Sequence, residues 1–453
     1  MKLARRTRPI VLALAALSLG SAVAEAGSLR RSRRGGVPAP VAGASKSDDL
    51  VRAAIDATPA GGVAVLPFGR FRTALVVDRP MTIVGDRRGT VLEATGLGRP
   101  VIDVAEGVGG VTVEGISIVG SDVEGVLVRA TAHGATLRRV AVTNCGGDGV
   151  RVLADDARID LCTVGANRGS GIALAGKRNE ALRTSFSAGT GPAARLGGED
   201  TSLSDSTVTG GAEGVVLEGL RDRVFRVTFR GVGVAVRFAP TADTCEVSRC
   251  DARGAATFLV ADEGSTYGRV AENRVGTTTA DAIVLRGSWH TVEGNVVAGS
   301  RASAVVGDGQ SLRVLENQLG PSAARGVSMS GLGNTVEGNA IRSTGGDAVV
   351  VEGDANIVAR NECLRAGGAG VVVDGTMNQV VANRVDDAVR EGIVVEGDVN
   401  RLQDNRLSRA GLEGIVVAGG RGNVLMTNRL TDCGGRGLLD AGAETTLERN
   451  QID

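Results

Sequence analysis

The chain has 453 residues, with 51 basic and 51 acidic side chains, 68 glycines, 2% aromatic residues and two histidines. The chain is neutral overall but its body is acidic once the basic N-terminal stretches are set aside, which argues against a nucleic-acid partner. The two histidines leave few options for histidine chemistry, and the six cysteines form no spacing framework for a metal or a disulfide scaffold.

Residues 1–26 have the pattern of a secretory signal: Lys2, Arg5, Arg6 and Arg8, an apolar run from Ile10 to Leu19, then Ala24-Glu25-Ala26. The run is too short to span a membrane, and no other stretch approaches its length, so an exported chain with no transmembrane segment is expected, periplasmic or extracellular. The Arg5-Arg6 pair leaves the twin-arginine route open beside the general one. Residues 27–46 form a basic linker with Arg30, Arg31, Arg33 and Arg34, either solvated or tethering the protein to an anionic surface. Residues 1–26 carry four basic groups and one acid, and residues 27–46 five and none, so the remaining body is at −8.

From residue 47 to 453 a single repetitive domain is expected, with residues 47–100 forming its N-terminal cap and first coils. Units open at Val123, Gly149, Gly171, Pro192, Gly214, Ala235, Thr257, Ala282 and Ala304, and continue at Gly326, Ala348, Gly370, Gly392, Gly414 and Gly437. Counting the opening residue as zero, positions one, three, ten and fifteen are apolar, as in Val371, Val373, Val380 and Val385 or Ile393, Val395, Leu402 and Leu407. The alternation of one and three is a strand period. Each unit holds three short strands and three turns and cannot bury its own apolar face, so it must stack on its neighbours. This predicts an all-β parallel solenoid of about fifteen to sixteen coils.

Position thirteen is Asn at 273, 295, 317, 339, 361, 383, 405, 428 and 450, and position eight is Asn at 334, 356, 378, 400 and 423. Asn tolerates the left-handed backbone of a tight bend, and its amide both donates and accepts. Stacked at about 4.8 Å, these side chains should form hydrogen-bonded ladders. Cys162 falls at a ladder position. Cys245 and Cys250 count as positions ten and fifteen of one coil, Cys363 as fifteen of another, and only Cys245 with Cys250 offers a disulfide. His133 sits in a Gly-containing turn, and His290 replaces Asn at position eight.

This pattern resembles the right-handed parallel β-helix of the pectate-lyase-like superfamily, most closely its carbohydrate-binding and sugar-hydrolase repeat branch. The stretch from Ala53-Ala54-Ile55 to Gly61-Gly62-Val63-Ala64-Val65-Leu66-Pro67 and Gly69 is similar to the start of that fold, which implies a short amphipathic capping helix. The catalytic signatures of the family's enzymes are missing. The chain has Asp155-Asp156 and Asp386-Asp387, but no Asn-Thr-Asp, Gly-His-Gly or Arg-Ile-Lys segment, and no Asp-Pro-His-Asp.

Three outward columns remain as candidates. Asp308, Glu352, Asp374 and Glu396 share position four, with Asp354 and Asp398 two residues after Glu352 and Glu396; Glu352, Asp374 and Glu396 are the candidate Ca²⁺ ligands, though Gly follows each, as in plain turns. Arg384, Arg406 and Arg429, with Arg274 further up, either track an anionic polymer or pair with Asp386, Asp387 and Asp404. Tyr267 and Trp289, the single Tyr and Trp, are 22 residues apart in a stretch where the coil is enlarged, which suggests a protruding loop. Their faces would stack on sugar rings, with Arg269, Arg286 and Glu293 supplying polar contacts.

The expected role is non-catalytic recognition of an extended polysaccharide or glycoconjugate. The rivals are a polysaccharide lyase or epimerase acting on a uronate polymer, and a structural cell-surface or assembly protein. Inward-facing Ile452 close to Asp453 leaves an uncapped coil, so end-to-end association at the C-terminal coil is expected.

Overall fold

The computed structural model describes residues 49–453. The signal pattern of 1–26 and the linker with Arg30, Arg31, Arg33 and Arg34 lie outside the described residues. A helix at Asp49–Asp56 buries Val51 and Ile55 over the first coil, as the resemblance implied.

Each coil contributes one strand to each of three parallel sheets, except the last, which adds to sheets 1 and 2 alone. Sheet 1 includes Arg269–Ala271, sheet 2 the following Arg274–Thr278, and sheet 3 Ile283–Leu285. Sheets 1 and 2 have eighteen strands each and sheet 3 seventeen, more than the fifteen to sixteen coils the repeat predicts. The additional coils lie at the N-terminal end, where Val63–Val65 pairs with Thr82–Val84, and that strand with Thr112–Glu114. Spacing there is irregular and ladder asparagines are missing, so the repeat does not announce itself.

Register follows the apolar pattern. Val371 is opposite Ile393, and Val395 is opposite Val417. Val380, Leu402 and Leu425 stack in the same way through sheet 1. These side chains are buried in one continuous core. A slip of one residue would turn every one of them outward, so burial holds the register. Neighbouring coils also approach closely where the units open: a Cβ on Gly392 would lie 2.5 Å from the Gly414 carbonyl oxygen.

The inner ladder forms as expected. From Asn273 to Asn428 each Nδ2 donates to Oδ1 of the next Asn, for example at 2.9 Å from Asn273 to Asn295 and 3.0 Å from Asn361 to Asn383. Its second hydrogen goes to a backbone carbonyl, as from Asn383 to Val358 O at 2.8 Å. In the outer ladder the backbone N–H of Asn356 donates to Asn378 Oδ1 at 2.8 Å, while Nδ2 reaches Gly331 O. One expectation is corrected. The left-handed residue of the inner bend is the one before the Asn, such as Glu272 at φ 56° or Ala382 at φ 55°, and the ladder Asn itself is not left-handed. The preceding residue turns the chain outward, which leaves the amide pointing into the stack.

The cysteine frame holds at Cys162 and is corrected at Cys245 and Cys250. Cys162 occupies a ladder position, with its thiol 3.6 Å from Leu137 O. Cys245 and Cys250 also lie in ladder columns, because their coil is longer than the frame assumed. Cys250 N–H donates to Asn273 Oδ1, and the Cys245 thiol lies 3.4 Å from Gly219 O. All six thiols are free, Cys245 and Cys250 included. In the final coil Leu447 and Ile452 are half exposed.

Candidate functional site

The aromatic pair sits on the corner between sheets 3 and 1, immediately before the sheet 1 strands Arg269–Ala271 and Thr291–Glu293. Tyr267 and Trp289 are both left-handed, at φ 53° and 58°. That backbone costs an L-residue about 1–2 kcal/mol, which the coil geometry imposes at this corner. It projects both side chains away from the core, 54% and 42% exposed.

The two rings stack on each other, with centroids 5.1 Å apart and planes 10° from parallel. The separation is close to the coil rise of about 4.8 Å. Each ring therefore covers one face of its neighbour. The free surfaces are the ring edges, the upstream face of Tyr267 and the downstream face of Trp289. The adjoining corner residues in this column, Thr244 and Ser311, are small and leave those outer faces uncovered by the column itself.

Beneath the pair His290 takes an asparagine's place. Gly268 N–H donates to its Nδ1 at 2.9 Å, so the ring proton is on Nε2, 3.1 Å from Ser265 Oγ. The Ser265 hydroxyl donates in turn to Asp262 O at 2.6 Å. Burial pushes the imidazole pKa down to about 4, which keeps it neutral, and no surface of it reaches solvent. His290 is an anchor of the corner. His133 is exposed, 4.0 Å from Asp155.

Next to the aromatic pair, sheet 1 presents an outward charged row: Arg223, Glu246 and Arg269 are in register, followed by Thr291. Arg269 donates to Glu246 at 2.9 Å and, from Nε, to Glu293 at 2.9 Å. The structure thus brings Arg269 and Glu293 together. Arg286 is placed elsewhere, in a cleft with Glu263 and Asp308, 3.8 Å from Asp262. Sequence reasoning missed Arg223, Glu246 and Phe225. The Phe225 ring lies under Arg226 at 4.1 Å and near Arg249 at 5.6 Å. Phe225, Arg223, Glu246 and Arg269 line a shallow cleft of about 380 Å³. The 23-residue intervals between Arg223, Glu246 and Arg269 are the signal that could have exposed this row.

The enlarged coil does not project a long loop. Between its strands run residues 262–268 and 279–282, and the remaining length goes into the strands Thr257–Ala261 and Arg274–Thr278.

The acidic column exists as an outward file: Ser330, Glu352, Asp374 and Glu396 follow Asp308 in register along sheet 3. Asp354 and Asp398 serve turns, accepting from Thr376 and Arg421 N–H at 2.8 and 2.7 Å. Among the described residues, no three His, Cys, Asp or Glu side chains are grouped to hold a metal ion, Glu352, Asp374 and Glu396 included. Also among them, no helix is long and apolar enough to cross a membrane.

A family described as right handed beta helix region matches residues 124–275, 281–428 and 369–453. No curated protein matches the sequence. Similar solved structures include a family PL6 alginate lyase, 8% identical with TM-score 0.40 over 90% of this chain and 100% of that one. Another is the catalytic unit of an α-1,3-glucanase from Streptomyces thermodiastaticus, 14% identical with TM-score 0.34, covering 91% of this chain and 71% of that one. A third is the A-module of a mannuronan C-5 epimerase from Azotobacter vinelandii, 12% identical with TM-score 0.34, covering 90% and 95%. With the family pattern spanning most of the parallel coils, this chain belongs to the right-handed beta helix family.

Proposed function

We propose that the chain recognises an extended polysaccharide or glycoconjugate on the face of sheet 1 beside Tyr267 and Trp289, without transforming it. The observation that carries this reading is the exposed aromatic stack. Two large side chains are held in a costly backbone conformation, with free ring faces next to a row of charged hydrogen-bonding groups. A sugar ring can pack against the downstream face of Trp289 while its hydroxyls reach the Arg269–Glu293 pair.

Binding is favoured over catalysis by where the titratable groups are. Glu246 and Glu293 both pair with Arg269 across three coils, so neither carboxylate stands without a partner. Burial moves Asp222 up to about 6 and His290 down to about 4, yet neither has any exposed surface with which to meet a substrate. The pattern of residues 1–26 supports a site of action outside the cytoplasm.

The test is a panel of neutral and acidic glycans assayed for binding and for shortened or unsaturated products. Trp289→Ala should weaken binding by about 1–3 kcal/mol, the range for removing an anchoring aromatic, with thermal stability nearly unchanged. Turnover of any glycan would overturn the non-catalytic reading. Lost stability with intact binding would remove the stack as the site.

A further inference from the structure

On the faces of this solenoid arginines usually meet a carboxylate in the adjacent coil, as Arg158 meets Glu180 at 2.7 Å and Arg195 meets Glu218 at 2.5 Å. Sheet 2 breaks this habit near its C-terminal end. Arg384, Arg406 and Arg429 lie directly opposite one another in three consecutive strands, all exposed. Like charges in register destabilise a sheet, so this arrangement costs stability, as does the acidic file Glu352, Asp374 and Glu396 on sheet 3.

Glu362 lies opposite Arg384 in the preceding strand without an ion pair to it among the described residues, and the acids nearer the row are engaged elsewhere. Asp386 and Asp387 are both held by Arg409 at 2.5 Å, and Asp386 also accepts from Ser408. Asp404 accepts from the Thr427 hydroxyl at 2.5 Å and from Gln403 at 2.9 Å. Arg384 has only Asp386 at 3.7 Å and Arg429 only Asp453 at 3.5 Å, while Arg406 has no ion pair among the described residues. The three line an open groove of about 1060 Å³ together with Arg449, Ser408 and Gln451, and with one carboxylate, Asp404.

We propose that this groove binds an acidic polysaccharide laid along the coil axis. The guanidinium groups recur once per coil, about every 4.8 Å, and suit a polymer with an anionic group on successive units. Ser408, Thr427 and Gln451 line the same groove and can meet sugar hydroxyls, and no aromatic side chain lines it to stack a nucleic-acid base. The site is separate from the Tyr267–Trp289 corner, and either can fail alone: a neutral glycan reads the corner and an acidic one reads the groove.

The full chain is titrated at low salt with oligogalacturonate, a neutral cello-oligosaccharide of equal length and oligo-dT. Oligogalacturonate should bind, weaken as salt rises, and lose about tenfold or more in affinity in Arg406→Glu and in Arg429→Glu. Arg230→Glu, the same charge change on a distant part of sheet 2, should retain binding. Equal affinity in Arg406→Glu and the parent, or no oligogalacturonate binding at low salt, overturns the proposal. Tighter binding of oligo-dT overturns the carbohydrate class. A melting curve on each variant separates lost binding from lost fold.

Discussion

Asn383 and Asn405 are joined twice through one oxygen: the Asn383 backbone N–H donates to Asn405 Oδ1 at 2.9 Å, and its side-chain Nδ2 donates to the same atom at 3.1 Å. Asn361 repeats the arrangement on Asn383, with both donors at 3.0 Å. The ladder therefore has one polarity throughout, every amide oxygen accepting from the preceding coil. Truncating Asn383 strands two donors of Asn361 and the Val358 carbonyl in the preceding coil, and removes one of the two donors to Asn405 Oδ1 in the next.

Asn383→Ala should cost about 1–3 kcal/mol in denaturant unfolding, since buried polar groups lose their partners. Asn383→Asp keeps the acceptor but puts a buried carboxylate where an amide donates, and should be at least as costly at neutral pH. Unchanged unfolding in both variants would contradict the ladder.

Asp222 occupies the outer ladder column with no surface exposed. Its Oδ1 accepts from the Thr201 N–H at 2.9 Å and hydroxyl at 2.5 Å, while Oδ2 has no partner. Burial pushes its pKa up to about 6. Below about pH 4 the carboxyl is neutral folded or unfolded; between there and about pH 6 only the unfolded chain ionises, so stability falls as pH rises through that window. Asp222→Asn should raise the melting temperature at pH 7, and the gain should vanish near pH 4. A gain independent of pH would place the cause elsewhere.

His290 works in the opposite direction. With its folded pKa near 4 against 6.5 for a free imidazole, the unfolded chain takes up the proton first as pH falls. Stability should therefore drop from about pH 6.5 towards pH 4 and be intact above that range. His290→Asn should remove this dependence while keeping the acceptor for Gly268 N–H. NMR titration of the imidazole with a midpoint near 6.5 would refute the buried, neutral anchor.

Val399 shares the corner column of Tyr267 and Trp289, at φ 55° and 57% exposed. A β-branched side chain is poorly suited to that backbone and here buries little in exchange. Val399→Gly should stabilise the fold by up to about 1 kcal/mol in denaturant unfolding. A clear loss would show that the valine packs against something, such as a bound partner on this corner.

The spacing of apolar residues and asparagines from Val123 onward was enough to specify a solenoid, its inward positions and its two ladders. Each follows from a one-dimensional repeat that must stack on itself to bury Val371 or satisfy Asn383. The first coils were expected within residues 47–100 but were undercounted, because their spacing departs from the period and no ladder residue marks them. Where a coil is longer, as at Cys245 and Cys250, the frame slipped, since counting cannot tell which turn absorbs an inserted residue.

The outward chemistry was decided by the tertiary structure. Sequence placed Tyr267 above Trp289, but the coil rise and corner backbone made them cover each other's faces. It set Arg269 beside Glu293 and Arg286 in the same group, yet the corner puts Arg286 in another cleft. It offered Asp386 and Asp387 as partners for the arginine column, and Arg409 reached them first. Inward residues have one place to go, because burial leaves no alternative. Outward residues choose among several neighbours of similar energy, and only the positions of all of them together settle the choice.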